Sequence, residues 1–328
     1  MNATVRRHGM RLIRSMMAAA GILLGCAAPA VLAAEAAGLP VLTPRATLTG
    51  ARVTARPNPV FGAVPLALPQ TYLPWMAPTL VAARHTYLYV VDAGRRQIFR
   101  YDSMQQAMSP FADYVAASVR GIAVAGDLSL YVLDGGARQV LHFSVDGRLL
   151  SRFGNELELP HPVAMLFDEA NGQILVADSL YKHVVVLNRF GHIVAALKPA
   201  AARSIEAMAS GPDGLYLVDS IGRQVVVVSR NGEHRYTLGE DVLVHPNAIA
   251  VDRYNRVFVS DSFDNTIRIF EQQTLAVSIG GAASAPAPAS FNHVTGLWLE
   301  QDMLYVADSL NGRIQTFQVA PPTQEPKP

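Results

Sequence analysis

Leu304-Tyr305-Val306-Ala307-Asp308-Ser309-Leu310-Asn311-Gly312-Arg313-Ile314-Gln315-Thr316-Phe317 reads as an apolar run, a short loop opened by Asp-Ser, and a second apolar-rich run. The chain repeats this phrase. Val257-Phe258-Val259-Ser260-Asp261-Ser262, Leu215-Tyr216-Leu217-Val218-Asp219-Ser220 and Ile174-Leu175-Val176-Ala177-Asp178-Ser179 are close copies, and looser ones end at Asp134 and Asp92. From Asp92 onward the Asp-to-Asp intervals are 42, 44, 41, 42 and 47 residues. A fixed period of about forty residues marks a repeat array, in which each copy is one supersecondary unit stacked on its neighbours.

Each unit divides into four short strands. In the fifth they are Ala248–Val251 (a), Val257–Ser260 (b), Thr266–Phe270 (c) and Thr274–Ser278 (d). Asp146-Gly147, Phe190-Gly191 and Asn231-Gly232 supply turns between c and d, and Asn171-Gly172 and Asp213-Gly214 between a and b. Strand b is apolar on both faces, so the sheet it belongs to is sandwiched. Six such units predict an all-β, six-bladed β-propeller of four-stranded blades over residues 76–320. The last copy stops at Pro321-Pro322 without an outer strand, and residues 321–328 read as a loose tail. Residues 26–75 read as a proline-rich linker, within which a strand near 46–55 (Ala46–Val53) is free to close the last blade.

The Val-x-Asp-Ser phrase, followed by Arg-Ile-Gln-x-Phe from the fifth residue after the Asp, resembles the NHL repeat. The resemblance covers residues 76–319 and implies the same propeller. The family's arginine five residues past the Asp is kept as Arg313 and replaced by Gln97, Gln139, His183, Gln224 and Thr266 elsewhere. Four copies place a base one position earlier, at Arg96, Arg138, Lys182 and Arg223.

Half of the residues are hydrophobic (50%) and 16% are charged, as suits a buried globular array. The formal charge is +1, but Arg6, Arg7, Arg11 and Arg14 lie in the first 25 residues, which hold no acid; without them the balance is −3. That argues against a nucleic-acid partner. Residues 1–25 read as an export signal, basic to Arg14 and apolar from Met16 to Leu24. Leu23-Leu24-Gly25-Cys26 resembles the bacterial lipobox, which implies lipidation of Cys26, the chain's single cysteine. The alternative is cleavage after Ala33 or Ala34. The first places the protein on the periplasmic side of the outer membrane, held only by its lipid; the second leaves it free in the periplasm or secreted.

Strand order puts the segment before strand a and the Asp-Ser loop on one face of the disc, and candidate site residues collect there. The six repeat Asp residues suit a structural role, because a carboxylate opening a loop accepts N–H groups two or three residues on. His161, His245 and His293 share one position before strand a, with Met76, Ser118 and Ser204 as counterparts; three imidazoles are a possible zinc set. Two residues on stand Arg120, Glu206, Asn247 and Thr295. The NHL-like amidating lyase uses channel histidines, and sugar-lactone lactonases hold calcium through Glu, Asn and Asp. Those resemblances imply a metal-dependent hydrolase or lyase with Glu206 as base, although Thr295 stands where the lactonase set needs an acid. The leading expectation is instead a cofactor-free binding or scaffold module for a protein or envelope polymer. Its partner face would carry Arg96, Arg120, Arg138, Lys182, Arg223 and Asn247, with Asp264 opposing them in the fifth unit.

Overall fold

A computed structural model describes residues 41–54, 71–114, 118–281 and 287–322. The segment expected to be an export signal, Cys26, most of the expected linker and the end of the tail lie outside the described residues. Among those described, the chain is built of strands, with one 3-10 turn at Ser309–Asn311. No helix among them is long and apolar enough to cross a membrane.

Three strands precede the first repeat: β1 (Leu42–Leu48), β2 (Gly50–Val53) and β3 (Tyr72–Pro74). Each repeat then forms a four-stranded antiparallel meander. In blade five the strands are Pro246–Val251, Val257–Asp261, Thr266–Glu271 and Thr274–Gly280, within a few residues of the sequence expectation. The six inner strands contact one another in sequence, and Val294–Glu300 of blade six returns to Pro78–Arg84 of blade one. The ring is closed and six-bladed.

The closing strand is present but displaced from its expected window. β1 pairs antiparallel with Arg313–Val319, from Leu42↔Val319 to Leu48↔Ile314, so residues 42–48 complete blade six rather than 46–55. Pro44 hides this strand from a propensity reading, yet an outer edge tolerates proline, and the register breaks beside it. The next residues leave for blade one. β2 runs parallel to the outer strand Ala107–Pro110 and antiparallel to β3, making blade one six-stranded. Gly50 permits the passage: its φ is +154°, and a Cβ there would sit 2.2 Å from the Leu73 carbonyl oxygen.

The core lies between blades. Leu175, Ala177, Val184 and Val186 of blade three pack on Leu215, Leu217, Val226 and Val228 of blade four. The seam from blade six to blade one is filled in the same way, by Ala307 and Ile314 against Val81, Leu88 and Val90. Strands b and c are buried on both faces, which explains their unbroken apolar runs. Burying one such aliphatic side chain contributes about 1.5–3 kcal/mol.

Candidate functional site: the loop face and the channel mouth

The repeat Asp residues fasten the loop face. Asp92, Asp178, Asp219, Asp261 and Asp308 are fully buried, and each accepts N–H groups from the segment that leads into strand a. Asp92 takes Met76 N (2.9 Å) and Ala77 N (3.0 Å), Asp219 takes Arg203 N (2.8 Å) and Ser204 N (3.0 Å), and Asp261 takes Val244 N (2.8 Å) and His245 N (3.0 Å). Further N–H groups come from the Asp's own loop, as in Gly222 N to Asp219 at 2.8 Å. One carboxylate thus pins two loops together in each blade. Burial opposes the charge on Asp219 and Asp134. Hydrogen bonds to both outweigh it, from Arg203, Gly222, Ser204 and Gln224 in the first case and from Tyr114, Ala137, Ser118 and Gly136 in the second. Both carboxyls are held below the ordinary carboxylate range.

Two of the departures from the repeat arginine are repaired locally. Arg313 Nε donates to Asp308 at 2.7 Å. In blade five, where Thr266 replaces it, Arg268 reaches Asp261 at 2.8 Å, and in blade four Gln224 donates to Asp219 at 3.2 Å. His183 stands there in blade three, and its Nε2 is buried with no hydrogen-bond partner.

Four residues past each Asp the backbone is left-handed. The φ values are 55° at Arg96, 56° at Arg138, 50° at Lys182, 56° at Arg223, 60° at Asn265 and 58° at Gly312. Asn and Gly tolerate this region, whereas Arg or Lys adopts it at a cost of about 1–2 kcal/mol. Arg96, Lys182 and Arg223 are exposed, and Arg138 lies 3.5 Å from Glu156.

The innermost strands carry a second ring. A register break falls at Thr79, Arg120, Val163, Asn247 and Thr295, and Glu206 holds the same place directly ahead of Ala207–Gly211. Bulges of this kind re-aim side chains. Asn247 and Thr295 use theirs to join blades. Asn247 Nδ2 donates to the Val294 carbonyl while its Oδ1 accepts Ser260 Oγ at 3.0 Å, and Thr295 Oγ1 donates to the Thr79 carbonyl at 2.9 Å. Asn247 is therefore a bridge between blades. Arg120 and Glu206 remain exposed.

His161, His245 and His293 do share one position, although their blade-one counterpart is Ala77 and not Met76, since Pro78↔Asp92 matches Pro162↔Asp178. They do not converge. Among the described residues no group of three or more His, Cys, Asp or Glu lies close enough to hold a metal ion. Blade four stands between His161 and His245, and the three residues make separate contacts. His161 Nδ1 lies 2.6 Å from Ser179 Oγ, His245 lies 6.0 Å from the Phe263 ring, and the His293 backbone N–H is tied to Asn265 Oδ1 at 2.7 Å. Of the lactonase-type set, both Asn247 amide atoms and the Thr295 hydroxyl make hydrogen bonds within the protein.

The His161–Ser179 contact has the spacing of a base and nucleophile but not their surroundings. Asp178, the carboxylate nearest in sequence, accepts the His161 backbone N–H at 2.6 Å rather than orienting its ring. The N–H groups of Leu180 and Tyr181, which follow the serine, donate to that same Asp178 at 3.0 and 3.2 Å and are not available to a developing oxyanion. Blade four repeats the contact without a histidine, as Ser204 Oγ to Ser220 Oγ at 3.2 Å. It is a loop fastening. At blade two a cleft of about 680 Å³ runs from this face, where the Tyr114 hydroxyl is bonded to Asp134, to Arg148 and Arg152.

Sequence reasoning missed a set of apolar loop tips: Leu180, Ile221, Phe263 and Leu310, two residues past the Asp in blades three to six, are exposed. Their signal was an apolar residue directly after Asp-Ser in a loop that otherwise reads polar.

No protein-family model matches the chain, and no curated protein matches it. Solved structures do. A protein of unknown function from Bacteroides thetaiotaomicron VPI-5482 is 14% identical, with a TM-score of 0.63 over 75% of this chain and 70% of that one. An auxiliary nutrient binding protein from the same organism is 13% identical, with a TM-score of 0.59 over 74% and 69%. Virginiamycin B lyase from Staphylococcus aureus is 10% identical, with a TM-score of 0.56 over 75% and 96%. At these identities the likeness carries the propeller fold alone.

Proposed function

We propose that the chain is an exported, NHL-type propeller, lipid-anchored through Cys26, that binds a protein or envelope polymer on its loop face. The observation that carries this reading is the carboxylate-pinned loop pair in every blade. It holds exposed cationic and apolar side chains on a rigid support, which is what a preorganised binding surface needs. The likeness in fold to a nutrient binding protein is in keeping with a binding role. The −3 balance without the leader argues against nucleic acid.

Photo-crosslinking in the producing bacterium tests the reading. A photoreactive residue at Tyr181, on the loop face, is expected to give discrete adducts, while one at Phe190, exposed in a turn on the opposite face, gives none. Equal labelling from both positions, or none from Tyr181, overturns it. Labelled palmitate incorporated into wild type and absent from Cys26→Ser reads the anchor separately.

A further inference from the structure

Leu180, Ile221, Phe263 and Leu310 are 60%, 66%, 64% and 67% exposed. Single exposed apolar residues are ordinary, but four at one structural position in adjoining blades form a pattern that calls for a partner. Their backbone is held firmly. The N–H groups of Leu180 and Phe263 each donate to their Asp at 3.0 Å, Ile221 N donates to Ser204 Oγ at 3.1 Å, and Leu310 N to the Asn292 carbonyl at 3.2 Å. Blade one has Gly94 at this position, and Met76, 58% exposed, lies against it: a Cβ on Gly94 would come within 2.7 Å of Met76 Cβ. Met76 supplies the apolar tip there instead.

Blade two alone interrupts the crown. Its loop is Gly135-Gly136, and Arg120 lies across it, since a Cβ on Gly135 would come within 2.6 Å of Arg120 Cγ. Arg120 is exposed and has no hydrogen bond or ion pair among the described residues. The surrounding charge is lopsided. Most acids on this face are engaged: Glu156 with Arg138 (3.5 Å), Glu158 with Asn155 (2.8 Å), Glu240 with Thr237 (3.0 Å) and Asp264 with Arg268 (2.7 Å). That leaves Glu206 and Asp241 against Arg96, Arg120, Lys182 and Arg223, none of which has a carboxylate partner among the described residues.

We infer that this crown docks an acidic, amphipathic polypeptide segment, its apolar side chains on the tips of blades three to six and a carboxylate at the Arg120 notch. The inference rests on the binding role proposed above and narrows its partner class. A polypeptide fits better than a bilayer, because Glu206 and Asp241 would be carried toward the headgroups and the notch would break a continuous apolar footprint.

The test pans a displayed random dodecapeptide library against the full-length purified protein and measures a synthetic copy of each enriched peptide by titration. The expected peptides combine Leu, Ile or Phe with Asp or Glu. They bind about tenfold more weakly to Ile221→Ser/Phe263→Ser and to Arg120→Ala, the scale of losing interface anchors. The substituted side chains are exposed, so unchanged melting temperatures certify folding. Three results overturn the inference: no enriched binder, enriched peptides lacking acids, or equal binding to wild type and variants. Sedimentation with phosphatidylglycerol/phosphatidylethanolamine vesicles that the Ile221→Ser/Phe263→Ser variant abolishes also overturns it, in favour of a membrane. Adducts from Tyr181 alongside any of the first three results leave the binding role standing and remove only this partner class.

Discussion

Lys182 sits at φ 50° with its side chain in solvent, where glycine would serve the backbone better. Relief of the left-handed penalty, about 1–2 kcal/mol, is partly offset by the extra unfolded-state freedom of glycine, roughly 0.5–1 kcal/mol. Lys182→Gly should therefore raise stability by about 0.5–1 kcal/mol and the melting temperature by about 2 °C, while weakening adduct formation from the loop face. A lower melting temperature would mean the lysine is held by contacts rather than strained. Asp219 is the opposite case, a side chain that the fold needs charged. Its folded-state pKa lies below the unfolded value of about 3.9. Its stabilisation is thus complete above about pH 4 and is lost as pH falls through the depressed folded value. Asp219→Asn should cost about 2–3 kcal/mol at pH 7, because the N–H groups of Arg203, Ser204 and Gly222 lose a charged acceptor. The gap between urea melts of wild type and variant should narrow as pH falls below about 4; a gap that stays constant on acidification would show that the charge is not what matters.

At the scale of elements, β1 decides whether blade six has an outer strand. Deleting residues 42–48 exposes the edge of Arg313–Val319 and uncovers Phe317 and Val319, which the cluster between blades five and six buries with Leu42. The expected outcome is a fall in melting temperature of more than about 10 °C, several kcal/mol at the usual conversion for domains of this size. Added peptide spanning residues 41–49 should partly restore it, whereas deleting residues 50–53 should loosen only blade one. Melting curves of the two deletions decide. The comparison also shows what the sequence could convey. Strands b and c were legible because burial on both faces writes an uninterrupted apolar run, as in Leu215–Val218, and the loop face followed from strand direction. The clasp was misplaced because an outer strand buries one edge only: β1 is mostly exposed and carries Pro44. The histidine set failed for another reason. Equivalent repeat positions are spread around a ring, so a shared register in the sequence means separation in space. The apolar crown was written in the loops, but exposure is a tertiary property, and Leu310 reads the same in a sequence whether it is covered or bare.

At the scale of the molecule, six inter-blade cores form a circle, and a circle can be opened at any seam. The seam between blades six and one differs from the others because the two ends of the array meet there. Trp298 Nε1 donates to the Ala83 carbonyl at 3.0 Å and Thr295 Oγ1 to the Thr79 carbonyl at 2.9 Å, so two side chains of one inner strand hold the first blade to the last. Trp298→Phe keeps an aromatic ring there and removes the donor, leaving a partly buried carbonyl unpaired at a cost of about 1–2 kcal/mol. The clasp acts on the same blade from its outer edge: Thr47→Pro breaks the pairing of β1 with Gln315. If blade six must be complete for its inner strand to hold blade one, the two changes will not add. Once β1 is detached, blade six frays and the Trp298 bond contributes less. A double-mutant cycle by urea unfolding should then give a coupling of about 0.5–1 kcal/mol, above the few tenths expected of independent sites. The same cycle between Thr47→Pro and Lys182→Gly, in blade three, should be additive. Additivity in both cycles would mean that clasp and seam close the ring independently, and that β1 shields an edge without supporting the join between the first blade and the last.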